Sequence, residues 1–434
     1  VKRIAIAVGA LTLIGALALG AGALARSGAS GRLDRSYGVA GKAAIMQPPD
    51  DHFRPWSVEE YAPARDGSVY VLGRGWTGDC YGCGPTYFVF RVGSSGAFDP
   101  GFGGEAGVVL PNAPFAYGLS VDAQGRPLVS THDAGAVTVR RFEGNGQADA
   151  GFGKGGTATV PCDCQGAVIR VVPAQQGKTL VEVDRPSSGE EYSPGPGAVV
   201  TLTRLLANGA RDPDFASGGS STLSLPGLSR PTLLAVAKNG AVLLGGSSPR
   251  IRTLVYVIRV SAKGVLDTRF DRTASRAMRR LRQLGEFTEL NSLLARRDGT
   301  IELLGPSRFT KGFDLRLRDN GRLAGGFGKG GLSVLPLPLK SAMLGSGGAI
   351  FAAAEAPEVT AFRILKDGRL DPRFGGPDGV EVPVSGEGIV VGTQPGRRAV
   401  LMDRGIGFCR SGGCEPSPGI ARYIEPPPIR RHRK

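Results

Sequence analysis

The chain has 434 residues, with 53 Lys and Arg against 38 Asp and Glu, a formal net charge of +15. Its 68 Gly and 31 Pro beside only 7% aromatic residues argue against a helical bundle and suit many short strands joined by tight turns. The positive balance favours anionic surfaces over neutral ones, although an arginine-rich composition by itself accounts for it equally well, and no aromatic-and-basic platform for nucleic acid stands out.

The N-terminus reads Val1-Lys2-Arg3, then an uncharged stretch from Ile4 to Leu24, then Ala23-Leu24-Ala25 ahead of Arg26-Ser27-Gly28. These are the three parts of a secretory signal, so residues 1–25 are read as a signal peptide. The stretch is also long enough to span a bilayer, and an uncleaved anchor is the alternative. In both cases the rest of the chain is expected outside the cytoplasm, extracellular or in the cell envelope. It divides into a repeat region over 26–425 and a basic Pro/Arg-rich tail over 426–434.

From Gly31 onward one turn recurs seven times: GRLDRSY at Gly31, GAFDPGF at Gly96, GQADAGF at Gly146, GARDPDF at Gly209, GVLDTRF at Gly264, GRLAGGF at Gly321 and GRLDPRF at Gly368. An aromatic residue always lies six positions after the glycine: Tyr37, Phe102, Phe152, Phe215, Phe270, Phe327 and Phe374. Six copies carry an acid, namely Asp34, Asp99, Asp149, Asp212, Asp267 and Asp371, and only Ala324 breaks the series. Five positions before six of the glycines an alternating strand ends in arginine, giving Arg91, Arg141, Arg204, Arg259, Arg316 and Arg363. Recurrence in every unit points to structure, either an ion pair or a turn hydrogen bond made once per repeat.

Between copies lies an Asp-Gly-like turn followed by a short apolar run, clearest at Gly67, Gly240 and Gly299 and looser at Gly125, Gly177 and Gly396. The unit is therefore strand A, turn, strand B, loop, strand C, the seven-residue turn and strand D, with a period of about 56 residues. Gly31 has no strand C before it. The missing one stands at the other end of the chain, in Gly419-Ile420-Ala421-Arg422-Tyr423-Ile424, which lacks a following turn. The two ends complete each other. We therefore expect an all-β, seven-bladed β-propeller of four-stranded blades, closed by pairing of the segment around Gly38 to Ile45 with the strand around Ile420 to Ile424.

These turns and strands resemble the delta-60 repeat, a bacterial family with an Asp-Gly turn, an Ala-Arg-Tyr-like strand and a Leu-Asp-x-x-Phe-Gly turn. The resemblance covers about residues 31 to 425 and implies a propeller-like exported protein, with no established catalytic residues to carry over. Two repeats depart from the pattern, one through Ala324 and the other through Gly347-Gly348 in place of the Asp-Gly turn.

The repeats differ in the B–C loop. From the turn glycine to the arginine the separation is 24 residues for Gly67 to Arg91, 27 for Gly177 to Arg204 and 26 for Gly396 to Arg422, against 16 to 19 elsewhere. The enlarged loops span Gly75 to Pro85, Arg185 to Pro196 and Gly405 to Pro418. B–C and D–A loops leave a blade on one face, and all six cysteines fall there. Cys80 with Cys83, Cys162 with Cys164, and Cys409 with Cys414 are read as local disulfides, the last-but-one pair closing the tightest ring. A zinc site is the weaker alternative, since the spacings differ and no His lies near.

Loops on a rigid scaffold are the usual place for binding, so the candidate contact residues are His52, Trp56, Trp76, Tyr81 and Tyr192. A basic run containing Arg276, Arg279, Arg280 and Arg282 is expected along the outer strand of one blade, as an anionic docking edge or as protection of that edge. Two GxGxxG matches, at Gly151 and Gly326, precede strand-like residues and belong to the repeated turn, which argues against a dinucleotide site. Three histidines and no GxSxG elbow give little basis for a Ser-His-Asp enzyme. No catalytic residue, metal or cofactor is assigned. The expected function is non-enzymatic binding of a protein or an anionic glycan or cell-envelope polymer by a monomer, with membrane contact only through an N-terminal anchor. The alternative is an extracellular sugar lyase or hydrolase acting at the central pocket.

Overall fold

The computed structural model describes residues 32–45, 53–77, 85–110, 115–186, 197–226, 228, 231–248, 254–279, 289–307, 311–355, 359–376, 379–381, 390–394, 397–410 and 413–425. The strand β1 (Lys42–Ala44) is followed by blade 1, made of β2 (Phe53–Pro63), β3 (Val69–Thr77), β4 (Thr86–Val92) and β5 (Val108–Leu110). Blade 2 holds β6 (Phe115–Val121), β7 (Pro127–His132), β8 (Ala136–Arg141) and β9 (Thr157–Pro161). Blade 3 holds β10 (Val168–Pro173), β11 (Thr179–Pro186), β12 (Gly197–Leu205) and β13 (Ser220–Pro226). Blade 4 shows three strands among the described residues, β14 (Leu233–Val236), β15 (Val242–Ser248) and β16 (Leu254–Val260), followed by the helix α1 (Thr268–Met278). Blade 5 holds β17 (Ser292–Ala295), β18 (Ile301–Ser307), β19 (Lys311–Leu317) and β20 (Leu332–Leu335). Blade 6 holds β21 (Leu339–Leu344), β22 (Ile350–Glu355), β23 (Val359–Ile364) and β24 (Val380–Glu381). In blade 7, β25 (Val390–Gln394), β26 (Arg398–Arg410) and β27 (Gly413–Ile424) precede β1 in the order β25-β26-β27-β1.

The ring is thus a seven-bladed propeller of antiparallel sheets, and it closes as the sequence predicts. Lys42 registers with Ala421, Ala43 with Ile420 and Ala44 with Gly419, while Leu33 bridges Tyr423. The apolar residues collect into seven clusters, one between each pair of neighbouring blades. At the closure Tyr37, Ala43, Val400, Met402 and Ile420 pack against Val58, Val71, Phe88 and Phe90. A blade on its own would leave both sheet faces wet, so the two covered faces make each blade depend on its neighbours.

Two expectations need correction. Among the described residues the C–D connection of blade 4 is the helix α1, so Arg276 lies on a helix and Arg279 at its C-terminal end, not along an outer strand. The local reason lies after the series aromatic. In six copies the next residue takes a positive φ (Gly38, Gly103, Gly153, Ala216, Gly328 and Gly375), which turns the chain back toward the sheet. The corresponding position here is Asp271, within the helix. The Asp267 side chain accepts from the Phe270 N–H at 2.9 Å and caps the N-terminus. Phe270, Ala274, Ala277 and Met278 then recur at helical spacing and bury one face. The second correction concerns the segment Gly405 to Pro418, most of which is strand. β26 and β27 run on as a long hairpin past a register shift between Asp403 and Ile406, with Cys409 opposite Cys414.

Candidate functional site

The repeated arginines form ion pairs with the acids of their own turns. Arg91–Asp99 and Arg259–Asp267 measure 2.7 Å, and Arg141–Asp149, Arg204–Asp212 and Arg363–Asp371 measure 2.6 Å. The sixth pair, Arg422 with Asp34 at 3.0 Å, joins the two ends of the propeller. Each acid does two jobs. In five turns its other oxygen accepts the N–H two residues on, as in Gly101 to Asp99 at 2.9 Å and Gly151 to Asp149 at 2.9 Å, with Ser36, Asp214 and Arg373 the donors at Asp34, Asp212 and Asp371. Burial opposes ionisation of Asp34, but the Ser36 hydroxyl and the Arg398 and Arg422 guanidiniums outweigh it and hold its carboxyl down at about 2.

The same guanidiniums also fasten one blade to the next. Arg91 donates to Gly144 O at 2.8 Å, Arg204 to Ala262 O at 2.6 Å, Arg316 to Lys366 O at 2.6 Å and Arg422 to Ser94 O at 2.7 Å, each acceptor lying in the C–D turn of the following blade. Five lie 3.6 to 4.6 Å from the centroid of their series aromatic: Arg141 over Phe152, Arg204 over Phe215, Arg259 over Phe270, Arg316 over Phe327 and Arg422 over Tyr37. Arginine, acid and aromatic are therefore one structural device, and none of the three is free for a ligand.

Blade 5 keeps the device without its acid. Ala324 retains the backbone bond of the series, its N–H donating to Arg316 O at 2.9 Å. The charge comes instead from Glu302, directly opposite Arg316 on β18, whose carboxylate pairs with Arg316 and, at 2.8 Å, with Arg296. Elsewhere the residue opposite the arginine is Tyr70, Leu128, Leu180, Leu243, Phe351 or Val400. The acid has moved across the strand pair. Beside it Asp314, buried and next to the Glu302 charge, is raised well above the usual carboxylate range.

The inner strands β2, β6, β10, β14, β17, β21 and β25 neighbour one another around the axis. At the fourth residue pair from each A–B turn they present Glu60, Gly118, Arg170, Leu233, Ser292, Ser341 and Val391. The polar members satisfy the open edge of the next blade. Leu119 N–H donates to Glu60 at 2.7 Å, Ala342 N–H to Ser292 at 2.8 Å and Val391 N–H to Ser341 at 3.3 Å, while Arg170 donates to Pro231 O at 2.6 Å. β-Bulges at Glu60, Gly118 and Ser341 set this level. Arg170 also pairs with the buried Glu182 at 2.7 Å and Asp184 at 3.2 Å. Burial raises Glu60 to about 7 against the opposing Leu119 hydrogen bond, so its charge changes near neutral pH.

On the face of the B–C and D–A loops, the Cys162 and Cys164 sulfurs lie at bonding proximity with Cα atoms 5.2 Å apart. Their N–H groups donate to Gly135 O and Ala134 O at 2.9 and 3.0 Å, tying this loop to the B–C loop of blade 2, and Asp163 between them pairs with Arg185. Trp56 and Trp76 lie toward the same end of blade 1, Trp56 registering with Gly75. His52, Tyr81, Tyr192, Cys80, Cys83, Arg280 and Arg282, with the N-terminal segment 1–25 and the tail 426–434, lie outside the described residues. The side-chain bonds to the open edges of the inner strands are what sequence reasoning missed. Glu60 belongs to no repeated motif, and only its register reveals its partner.

No known family model matches the sequence, and no curated protein matches it. Solved structures do match. The chain is similar to virginiamycin B lyase from Staphylococcus aureus at 12% identity over 71% of this chain and 84% of that one, with a TM-score of 0.40. It is similar to the CNH domain of AfRom2 at 9% identity over 88% and 99%, TM-score 0.48, and to a gluconolactonase from Xanthomonas campestris at 14% over 85% and 86%, TM-score 0.35. At these values the likenesses carry no argument about this chain's chemistry.

Proposed function

We propose that this is an exported, non-enzymatic scaffold of the delta-60 repeat type that binds a protein or glycan of the cell envelope on the face formed by its B–C and D–A loops. One observation carries the reading: the two faces are built unequally. On the C–D turn face the acids and arginines of the repeated series are spent in ion pairs and blade-to-blade bonds. The other face carries the irregular features, namely the 13- and 12-residue strands of the β26–β27 hairpin and the tethered Cys162–Cys164 loop. A rigid ring with variable loops on one side is suited to presenting a surface.

The test is a pull-down from the organism's own envelope and medium with the chain from Arg26 onward, beside a variant whose hairpin is shortened by deleting 405–417. A partner retained by the first and lost by the second supports the reading. Equal retention by both overturns it. The enzymatic alternative is favoured by one feature, the Glu60 carboxyl on the inner wall with a value near neutrality. Against it, that carboxyl already accepts a backbone N–H, and the nearest charged residue at its level, Arg170, is two blades away and already paired.

A further inference from the structure

In helix α1 the propeller leaves the turn that the other described repeats share, and arginine predominates on its outer face. Arg269, Arg272, Arg276 and Arg279 are all exposed, at steps of three, four and three that keep them on one side, opposite the buried Phe270, Ala274, Ala277 and Met278. At 1.5 Å per residue the four span about 15 Å.

None of the four is paired with an acid among the described residues, in contrast to every arginine of the repeated series. The acids that could neutralise them are committed elsewhere. Asp267 caps the helix and holds Arg259, and Asp271 is turned inward, accepting the Arg259 N–H at 3.0 Å. The neighbouring C–D turn of blade 5 packs on the helix through Gly321, where an added Cβ would sit 2.9 Å from Phe270 O. That turn brings two more exposed cations, Arg318 and Arg322, while its acid Asp319 is taken by Arg259 at 2.6 Å. Arg269 stands in the first turn of the helix, where the macrodipole disfavours a cation. Protection of a strand edge does not explain the row, because the arginines sit on a helix and not on a fourth strand.

We propose that this face docks a linear poly(polyol phosphate), a phosphodiester chain without bases, in keeping with the lack of any aromatic among the outward residues of the helix. Planar guanidiniums suit phosphate oxygens bidentately, and a straight row of them matches successive charges along an extended chain. A bilayer is the weaker partner: the outward residues Thr268, Arg269, Arg272, Ser275, Arg276 and Arg279 include nothing apolar to insert between headgroups. This inference rests on α1 and the turn packed against it and stands or falls separately from the loop-face reading.

The probe is poly(glycerol phosphate), titrated into the full chain at low and at physiological salt. The triple variant R269Q/R272Q/R276Q should bind at least about tenfold more weakly with a shallower salt dependence, and R276Q alone should show part of the loss. R211Q, at an exposed arginine in the C–D turn of blade 3, should bind like the unaltered chain. Thermal melting of each variant checks that the fold is intact; should the triple variant misfold, R276Q against R211Q decides. No binding by the unaltered chain at low salt overturns the proposal, as does equal loss in R211Q. Arginine-dependent binding to phosphatidylglycerol vesicles without binding to the soluble polymer also overturns it, in favour of a membrane.

Discussion

Arg422 and Asp34 stand 388 positions apart in sequence, yet the Arg422 Nε and Nη2 both reach the Asp34 carboxylate at 3.0 Å, with both side chains buried. The pair is the same device that five of the other six blades make within eight residues, here formed between the two ends of the ring. Losing one partner leaves a buried charge uncompensated. Asp34→Ala should therefore cost about 3 kcal/mol or more, and deleting 26–46 should lower the melting temperature sharply. An unchanged thermal melt in the deletion would mean that the seventh blade does not need its N-terminal strand.

The transferred acid of blade 5 can be tested by a double-mutant cycle. Glu302→Leu should destabilise by about 3 kcal/mol, since Arg316 and Arg296 lose their common carboxylate. Ala324→Asp should recover much of that loss in the Glu302→Leu background and bring little benefit to the unaltered chain. Equal effects of Ala324→Asp in both backgrounds, read from denaturant midpoints, would show that the two positions do not share a role.

Gly209 sits at φ +81 with an added Cβ placed 2.6 Å from the backbone N of Gly153 in the preceding blade, whereas Gly125 has φ +87 and nothing within 4 Å. Both substitutions by alanine strain the backbone, but only the first forces two blades apart. Gly209→Ala should cost at least about 2 kcal/mol and Gly125→Ala about 1 kcal/mol. Comparable urea midpoints for the two variants would remove close blade approach as the reason for the repeated glycine.

Glu60 gives stability a pH dependence of definite sign. Burial raises its folded value to about 7, above the ordinary 4.5, so between these limits the folded state holds the proton that the unfolded state has released. Its contribution is fully present below about pH 4.5 and is lost as pH rises through 7. Glu60→Gln removes the titration while keeping an acceptor for Leu119 N–H. The stability gained by the variant over the parent should therefore grow from pH 5 to pH 8. A gain that is flat across this range, measured by chemical denaturation, would place the Glu60 carboxyl in water.

Much of the architecture was readable in the chain alone because a propeller repeats its local chemistry. Each copy of the turn sees similar neighbours, so the sevenfold Arg and aromatic series, the sixfold Asp series, the turn glycines and the split strand at the two ends follow from spacing. The helix α1 left a trace as well, in the missing glycine after Phe270 and the spacing of Ala274, Ala277 and Met278, but a repeat pattern hides an exception to itself. Other features depended on which residues are brought face to face across strands and blades. Glu302 opposite Arg316, Glu60 at the free edge of Leu119, Cys409 opposite Cys414 and the arginine bonds to the next blade's carbonyls join residues whose pairing is set by register and bulges. Burial then fixes their charge, and no local spacing encodes how deeply a side chain will be covered once the ring has closed.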